Sequence, residues 1–176
     1  MKTIQRTERA RILIAYYSLS GNTARVAKDL AKLIGGDIES IRDREHGVGF
    51  LGYLKATVDA LRRVPAQIGP LSKNPADYAL TIIGTPVWVG NMTPAVRAYL
   101  QNNQERLHNV AFFITSGGTD ATKVVPAMEA VAGSTAIAFK GFDARELQDP
   151  HVYNRRIAEF ANDVERNVSS TTDVAA

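Results

Sequence analysis

The stretch Arg11-Ile12-Leu13-Ile14-Ala15-Tyr16-Tyr17-Ser18-Leu19-Ser20-Gly21-Asn22-Thr23 sets a short, unbroken apolar run against a turn of small polar residues, then enters the segment TARVAKDLAKLI. The run from Ile12 to Tyr17 is short for a helix and shows no polar alternation, so it reads as a strand covered on both faces. The segment after it has helical period and closes on Gly35 and Gly36, residues suited to a left-handed C-cap. Strand, tight turn and helix in that order open a βαβ unit, which implies a parallel sheet.

Outward from this stretch the same alternation repeats. Strands are expected at Arg11 to Tyr17, Asp37 to Ile41, Tyr78 to Gly84, Asn109 to Thr115 and Thr135 to Phe139. Helices are expected at Thr23 to Ile34, Phe50 to Val64, Thr93 to Asn102, Ala121 to Val131 and Val152 to Val168. Thr93 followed by Pro94 supplies an N-cap and a first-turn proline. The last helix carries Tyr153, Ile157, Phe160 and Val164 on one stripe, which assigns its aromatic residues to the core. Short connections and right-handed crossovers make this an α/β fold, a doubly wound five-stranded parallel sheet with helices on both faces. Residues 1–10 read as a basic N-terminal extension, 11–168 as a single domain and 169–176 as a disordered tail with little to pack.

Composition narrows the chemistry. The chain has 176 residues, 45% of them hydrophobic and 22% charged, enough for one sizeable core. Net charge is +3, from 21 basic and 18 acidic residues, and the two signs are interspersed, so no nucleic-acid-binding tract is expected. With no cysteine, disulfides, thiolate nucleophiles and Cys-ligated metals are excluded, and any redox chemistry belongs to a bound cofactor. His46, His108 and His151 have no metal-ligand spacing, so no metal site is expected. No run approaches the roughly 18 apolar residues of a membrane span, and none resembles a signal peptide; the expectation is a cytoplasmic protein with no membrane contact.

Ligands of a doubly wound sheet sit at the carboxyl ends of its strands. After the first strand, Ser18, Ser20, Asn22 and Thr23 crowd hydroxyls and an amide onto a helix N-terminus, and Gly21 lets the backbone curl towards an anion. Simple helix capping by Ser20 or Asn22 is the competing explanation. After the third strand, Thr85-Pro86-Val87-Trp88-Val89-Gly90 carries the single tryptophan in a Gly/Pro-bounded loop, where an indole can stack on a flat heterocycle. After the fourth, Thr115-Ser116-Gly117-Gly118-Thr119 has almost no side-chain bulk, which leaves backbone groups to meet a planar ligand's polar edge. A literal G-x-G-x-x-G at Gly47 to Gly52 lacks the preceding strand and the later acidic residue of a dinucleotide site. Asp120 reads as a helix cap and Asp143 with Arg145 as a surface pair. Tyr53 and Arg62 lie within reach of the site, although Phe50, Leu54, Val58 and Leu61 alone explain that segment as an amphipathic helix.

These loops, in order and spacing from Arg11 to about Val168, resemble the flavodoxin-like superfamily, whose members bind FMN. Ser18 to Thr23 matches the family's phosphate-loop pattern [ST]-x-[ST]-G-x-T at each specified position. The resemblance implies that Ser18, Ser20, Gly21, Asn22 and Thr23 hold the FMN phosphate. It implies further that Thr85 to Gly90 covers one face of the isoalloxazine through Trp88, and that Thr115 to Thr119 meets its pyrimidine side. The chain departs from acidic electron-carrier flavodoxins in its basic charge and in having no aromatic residue in the third loop. An open second flavin face suits nicotinamide or quinone, and a basic rim suits an acidic protein partner or an anionic substrate.

The function expected is electron transfer through bound FMN, with no catalytic side chain required of the protein. The alternative is an NAD(P)H-dependent FMN/quinone oxidoreductase on the same fold. Partners are accordingly a redox protein, or NAD(P)H and quinone, and the chain acts as a monomer or homodimer. A receiver domain is disfavoured because the third strand ends in Gly84 and not in a phosphoacceptor Asp; serine hydrolysis is disfavoured because no G-x-S-x-G elbow occurs.

Overall fold

The computed structural model describes residues 10–44, 66–118 and 120–174. Five strands, β1 Ile12–Tyr16, β2 Asp37–Ser40, β3 Leu80–Pro86, β4 Val110–Ser116 and β5 Ala136–Asp143, make one sheet in the order β2-β1-β3-β4-β5. Every neighbouring pair is parallel, so the doubly wound sheet expected from the sequence is the one formed. The described helices are α1 Asn22–Ile34, α2 Pro94–Asn103, α3 Val125–Ala132, α4 Ala144–Gln148 and α5 Pro150–Val174.

The central strands are buried along their length because helices cover both sides. On one face Ile12, Ile14, Leu80, Ile82 and Phe113 pack against Val26 and Leu30 of α1 and against Tyr153, Ile157, Phe160 and Val164 of α5. On the other face Ala15, Ile83, Phe112 and Ile114 pack against Val96, Tyr99 and Leu100 of α2 and Met128 of α3. The aromatic stripe of α5 is therefore core, as its spacing required. Within the sheet Gly84 lies between Tyr16 and Phe113 in register, and a Cβ there would fall 2.0 Å from Phe113 Cζ. The glycine is the space into which that ring fits.

Local signals account for most boundaries. Gly35 ends α1 at φ 71°, and the N–H groups of Gly35 and Gly36 both reach the carbonyl of Ala31. Thr93 caps α2 by accepting from the N–H of Val96, with Pro94 in the first turn. Most ends fall within two residues of the sequence reading, β3 for example at Leu80–Pro86; three ends lie further off, and one helix is new. β5 continues past Phe139 to Asp143, because pairing with β4 carries the strand through Lys140 and Gly141 where the apolar run breaks. α3 begins at Val125, after a 3-10 turn at Ala121–Lys123, because Pro126 has no N–H to donate back to residue 122. α4 was not expected; Asp143 and Glu146 form a reciprocal capping box around its first turn, so Asp143 is a helix cap and not the ion-pair partner of Arg145. α5 runs from Pro150 to Val174, past Val168, so helical backbone continues into residues 169–174, where a disordered tail was expected.

Side chains of α5 finish the sheet's β5 edge. Asn167 donates to the carbonyl of Ile137 (2.6 Å), Arg156 donates to that of Gly141 (2.7 Å), and Lys140 Nζ meets Glu159 at 2.8 Å. On the opposite side of the molecule, residues 42–44 and 67–69 run antiparallel: the N–H of Arg44 reaches the carbonyl of Gln67 (2.9 Å) and the N–H of Gly69 that of Arg42 (2.8 Å). The expected helix Phe50 to Val64, the Gly47 to Gly52 motif, Tyr53, Arg62 and His46 lie between those ends, outside the described residues.

Candidate functional site

The turn after β1 points a helix at its contents without spending its own polar groups on capping. Gly21, at φ 92°, is the N-cap of α1, and no side chain accepts from the first-turn N–H groups. Neither Ser20 nor Asn22 is therefore a helix cap, and the free amides of α1 add to the positive end of its dipole. No acidic residue in the first turn offsets that end. Ser18 Oγ is buried with no hydrogen-bond partner, which is costly for a hydroxyl unless a ligand or water satisfies it. Ser20, Gly21 and Asn22 are exposed. The nearby cation, Arg25, is drawn away: its guanidinium donates to the carbonyl of Leu147 (2.8 Å) and lies 4.1 Å over the Tyr153 ring.

The loop after β3 is held from two sides. The N–H of Val87 donates to the carbonyl of Thr115 (2.8 Å), which ties this loop to the end of β4. Trp88 and Asn91 exchange both backbone hydrogen bonds, at 2.9 and 3.0 Å, around Val89 (φ 49°) and Gly90 (φ 71°). Two successive positive φ values make a type I′ turn, and a β-branched residue at the first of them carries strain. Beneath the turn, buried Arg97 donates to Asn91 Oδ1 at 3.1 Å. Trp88 meets Tyr17 edge to face, with ring centroids 5.6 Å apart at 89°. Burial, then the nearby charge of Asp43, pushes the Tyr17 phenol up to about 12, so it stays neutral against the indole.

After β4 the backbone passes through Ser116, Gly117 and Gly118, and a Cβ built at either glycine meets nothing within 4 Å. Gly118 has φ 123°, a conformation that asks for glycine; Gly117 has no such requirement. Asp120 Oδ1 accepts from both the hydroxyl (2.7 Å) and the N–H (3.0 Å) of Thr122, which holds its carboxyl below the usual carboxylate range; it secures the 3-10 turn at Ala121–Lys123 and does not cap α3, whose N-cap is Val124, so the helix cap expected at Asp120 is displaced to the turn before the helix.

The three loops enclose one open cleft of about 270 Å³. Leu19, Ser20 and Asn22 line it from the first loop, Pro86, Val87 and Trp88 from the second, and Thr115, Ser116 and Gly117 from the third. Ala144, at the end of β5, completes the wall. Sequence reasoning missed Ala144, although applying the strand-end rule to β5 as well as to β1, β3 and β4 points to it. Ser18 and Gly21 belong to the same turn; Val89 and Gly90 form the tip of the Trp88 turn, with Val89 exposed. Gly118 faces a neighbouring recess of about 300 Å³ with Asp120, Thr122 and Arg156, and Thr119 lies outside the described residues.

Three of the expected site residues turn inward. Thr23 and Thr115 are buried and share a hydroxyl–hydroxyl hydrogen bond of 2.8 Å. Thr85, fully buried, donates to the carbonyl of Pro86 (2.9 Å) and accepts from the N–H of Thr93 (3.2 Å). Their hydroxyls secure the loops from beneath. Among the described residues no group of acidic, histidine or cysteine side chains is placed to hold a metal ion, and no helix is long and apolar enough to cross a membrane.

Known proteins share this fold. A flavoprotein from Lactobacillus acidophilus NCFM, whose crystal structure is in complex with FMN, is 24% identical, with a TM-score of 0.67 over 79% of this chain and 97% of that one. A candidate flavoprotein from Bacteroides eggerthii DSM 20697 is 20% identical, with a TM-score of 0.66 over 94% and 97% of the two chains. The two-electron reduced flavodoxin of Megasphaera elsdenii is 16% identical, with a TM-score of 0.55 over 88% and 98%. No curated protein sequence matches the chain. The Flavodoxin family model matches residues 11–141, from the foot of β1 into β5, and the chain belongs to that family.

Proposed function

We propose that the cleft binds FMN and that the protein transfers electrons through it. The observation that carries this reading is the buried, unpartnered Ser18 Oγ beside an uncapped helix N-terminus, a donor set suited to a phosphate held by neutral groups. Ser18, Ser20, Asn22 and the first amides of α1 would hold the phosphate. Trp88, braced by Tyr17, would cover one face of the ring, and the backbone of Ser116 and Gly117 would meet its polar edge. FMN supplies the redox chemistry when bound, and the protein supplies position and electrostatics. The described lining supports that division of labour: it consists of hydroxyls, the Asn22 amide, the apolar Leu19, Pro86 and Val87, the small Gly117 and Ala144, and one indole, with no titratable side chain.

A second reading, an NAD(P)H-dependent FMN or quinone oxidoreductase, is favoured by one feature. Among the described lining residues no second aromatic ring faces Trp88, which leaves room for a nicotinamide or quinone to stack.

Titrating cofactor-stripped protein into FMN while following flavin fluorescence tests the binding reading. Saturable quenching at one FMN per chain is expected, weakened about tenfold in Trp88→Ala from loss of the stacked ring. Absence of quenching overturns it. Steady-state oxidation of NAD(P)H with a quinone acceptor then separates the two roles: turnover identifies the oxidoreductase, and a flavin that exchanges electrons only with a protein partner identifies the carrier.

A further inference from the structure

Residues 42–44 and 67–69, which clasp each other just beyond β2, have two faces of opposite character. The bonds from Arg44 N–H to the Gln67 carbonyl and from Gly69 N–H to the Arg42 carbonyl flank the facing pair Asp43 and Ile68, so both strips are extended there. Side chains of an extended chain alternate, which turns Asp43 and Ile68 to one face and Arg42, Arg44, Gln67 and Gly69 to the other. The inner face belongs to the fold: Ile68 packs against the core beneath α2, and the charge of Asp43 is felt at Tyr17. On the outer face a Cβ built at Gly69 lies 3.5 Å from Arg42 Cβ, so Arg42 stands opposite a bare glycine and Arg44 opposite a neutral amide. Arg42, Arg44 and Gln67 are exposed, and among the described residues no carboxylate pairs with either arginine.

Two residues apart on an extended strip, the arginines stand roughly 6.5 Å from each other along the backbone, inside a Debye length of about 10 Å at 0.1 M salt, so their fields add. The clasp lies at the cleft end of the sheet: it follows β2 directly, and the N–H of Ile41 reaches the carbonyl of Tyr16 (2.8 Å), one residue before Tyr17. A flat, open strip of this kind matches the surface of another protein better than a small molecule, which a pocket must enclose.

We propose that the outer face of the clasp docks an acidic protein, a redox partner that Arg42 and Arg44 steer to the β2 flank of the cleft. The redox role of that partner rests on the electron-transfer reading above; the charge of the face does not. Exposed charges contribute little affinity but speed a complementary encounter, so the signature is an association rate that falls steeply with salt.

The test follows association of the full, FMN-loaded chain with an acidic [2Fe–2S] ferredoxin by surface plasmon resonance, with basic cytochrome c as control. Salt is varied from about 0.01 M, where the Debye length is about 30 Å, to about 1 M, where it is about 3 Å. Arg42→Glu combined with Arg44→Glu is expected to slow ferredoxin association about tenfold or more at the low-salt end, to leave it unchanged at the high-salt end, and to speed association of cytochrome c. Lysine at both positions keeps the charge and should keep the wild-type rate within about twofold. Gln67→Glu adds a carboxylate to the same face while removing no cation, and should slow ferredoxin about threefold. These side chains are exposed, so melting temperature and FMN uptake should match wild type in every variant.

Equal ferredoxin rates at low salt in wild type and the glutamate pair overturn the inference. A parallel fall for ferredoxin and cytochrome c, which marks general damage, overturns it too, as does displacement of ferredoxin by equimolar inorganic pyrophosphate, which makes the face a small-anion site. The same measurements on flavin-free chain keep two failures apart: a chain that takes up no FMN removes the electron-transfer reading, and the docking face then stands or falls on ferredoxin association alone.

Discussion

Gly84 and Gly117 are the same residue in two regions of the molecule, and they are glycines for opposite reasons. At Gly84, inside the sheet, a methyl group would collide with the Phe113 ring; at Gly117, on the rim of the cleft, it would meet open space. Neither has a positive φ. The fold alone explains the first, whereas the second has no explanation within the chain. Where a packed structure leaves room for a side chain that the sequence withholds, the room belongs to something else, and here that is the proposed flavin.

The comparison can be broken most severely at Gly84. Gly84→Ala should destabilise the protein by about 1–3 kcal/mol through overpacking, with Gly84→Val worse. At roughly 2–4 °C per kcal/mol, a thermal melt detects the loss. Combining Gly84→Ala with Phe113→Leu should recover part of it; a melt unchanged by Gly84→Ala contradicts the packing account. Gly117→Val should do the reverse, leaving the melting temperature of flavin-free protein within the change of about 0.5 kcal/mol usual at surface sites while weakening FMN about tenfold or more. If Gly117→Val unfolds the chain, or binds FMN normally, the distinction between the two glycines fails.

Ser18→Ala sharpens the same contrast with a polar group. Removing an orphaned buried hydroxyl should leave the free protein as stable as before or more so, while FMN affinity falls by roughly 1.5–3 kcal/mol, the worth of a hydrogen bond to a charged group. Melting curves with and without FMN, alongside a titration, check both halves. The smallest effect is expected at Tyr17. Its phenol ionises near 10 when unfolded and at about 12 in the fold, so its contribution to stability is complete below pH 10 and is lost as the pH rises towards 12. Denaturation of wild type and Tyr17→Phe at pH 8 to 12 should show wild type losing stability faster at the alkaline end. Parallel pH dependence refutes that assignment.

Much of this was legible before any coordinates. The apolar runs placed the strands, Thr93-Pro94 and Gly35-Gly36 fixed helix ends, and the strand-end rule brought the three loops to one cleft, because these signals are local or follow from topology. α4 was also within reach: Asp143-Ala144-Arg145-Glu146 has the spacing of a capping box, hidden by reading Asp143 with its neighbour's charge. The direction of the threonine hydroxyls was not legible. The pattern [ST]-x-[ST]-G-x-T treats Ser18 and Thr23 alike, yet one is left without a partner and the other is bonded across the sheet to Thr115. Which occurs depends on contacts between residues distant in sequence, and a motif does not encode them.

The antiparallel clasp between residues 42–44 and 67–69 ties one edge of the molecule to the start of α2. Its two backbone hydrogen bonds hold the chain ends together, and the N–H of Ala66 on one of them reaches the carbonyl of Pro94, at the start of α2. The clasp also carries Asp43, whose charge is felt at Tyr17, the brace of Trp88. The electrostatics of that edge of the sheet therefore bear on the indole wall of the cleft from a residue that does not line it.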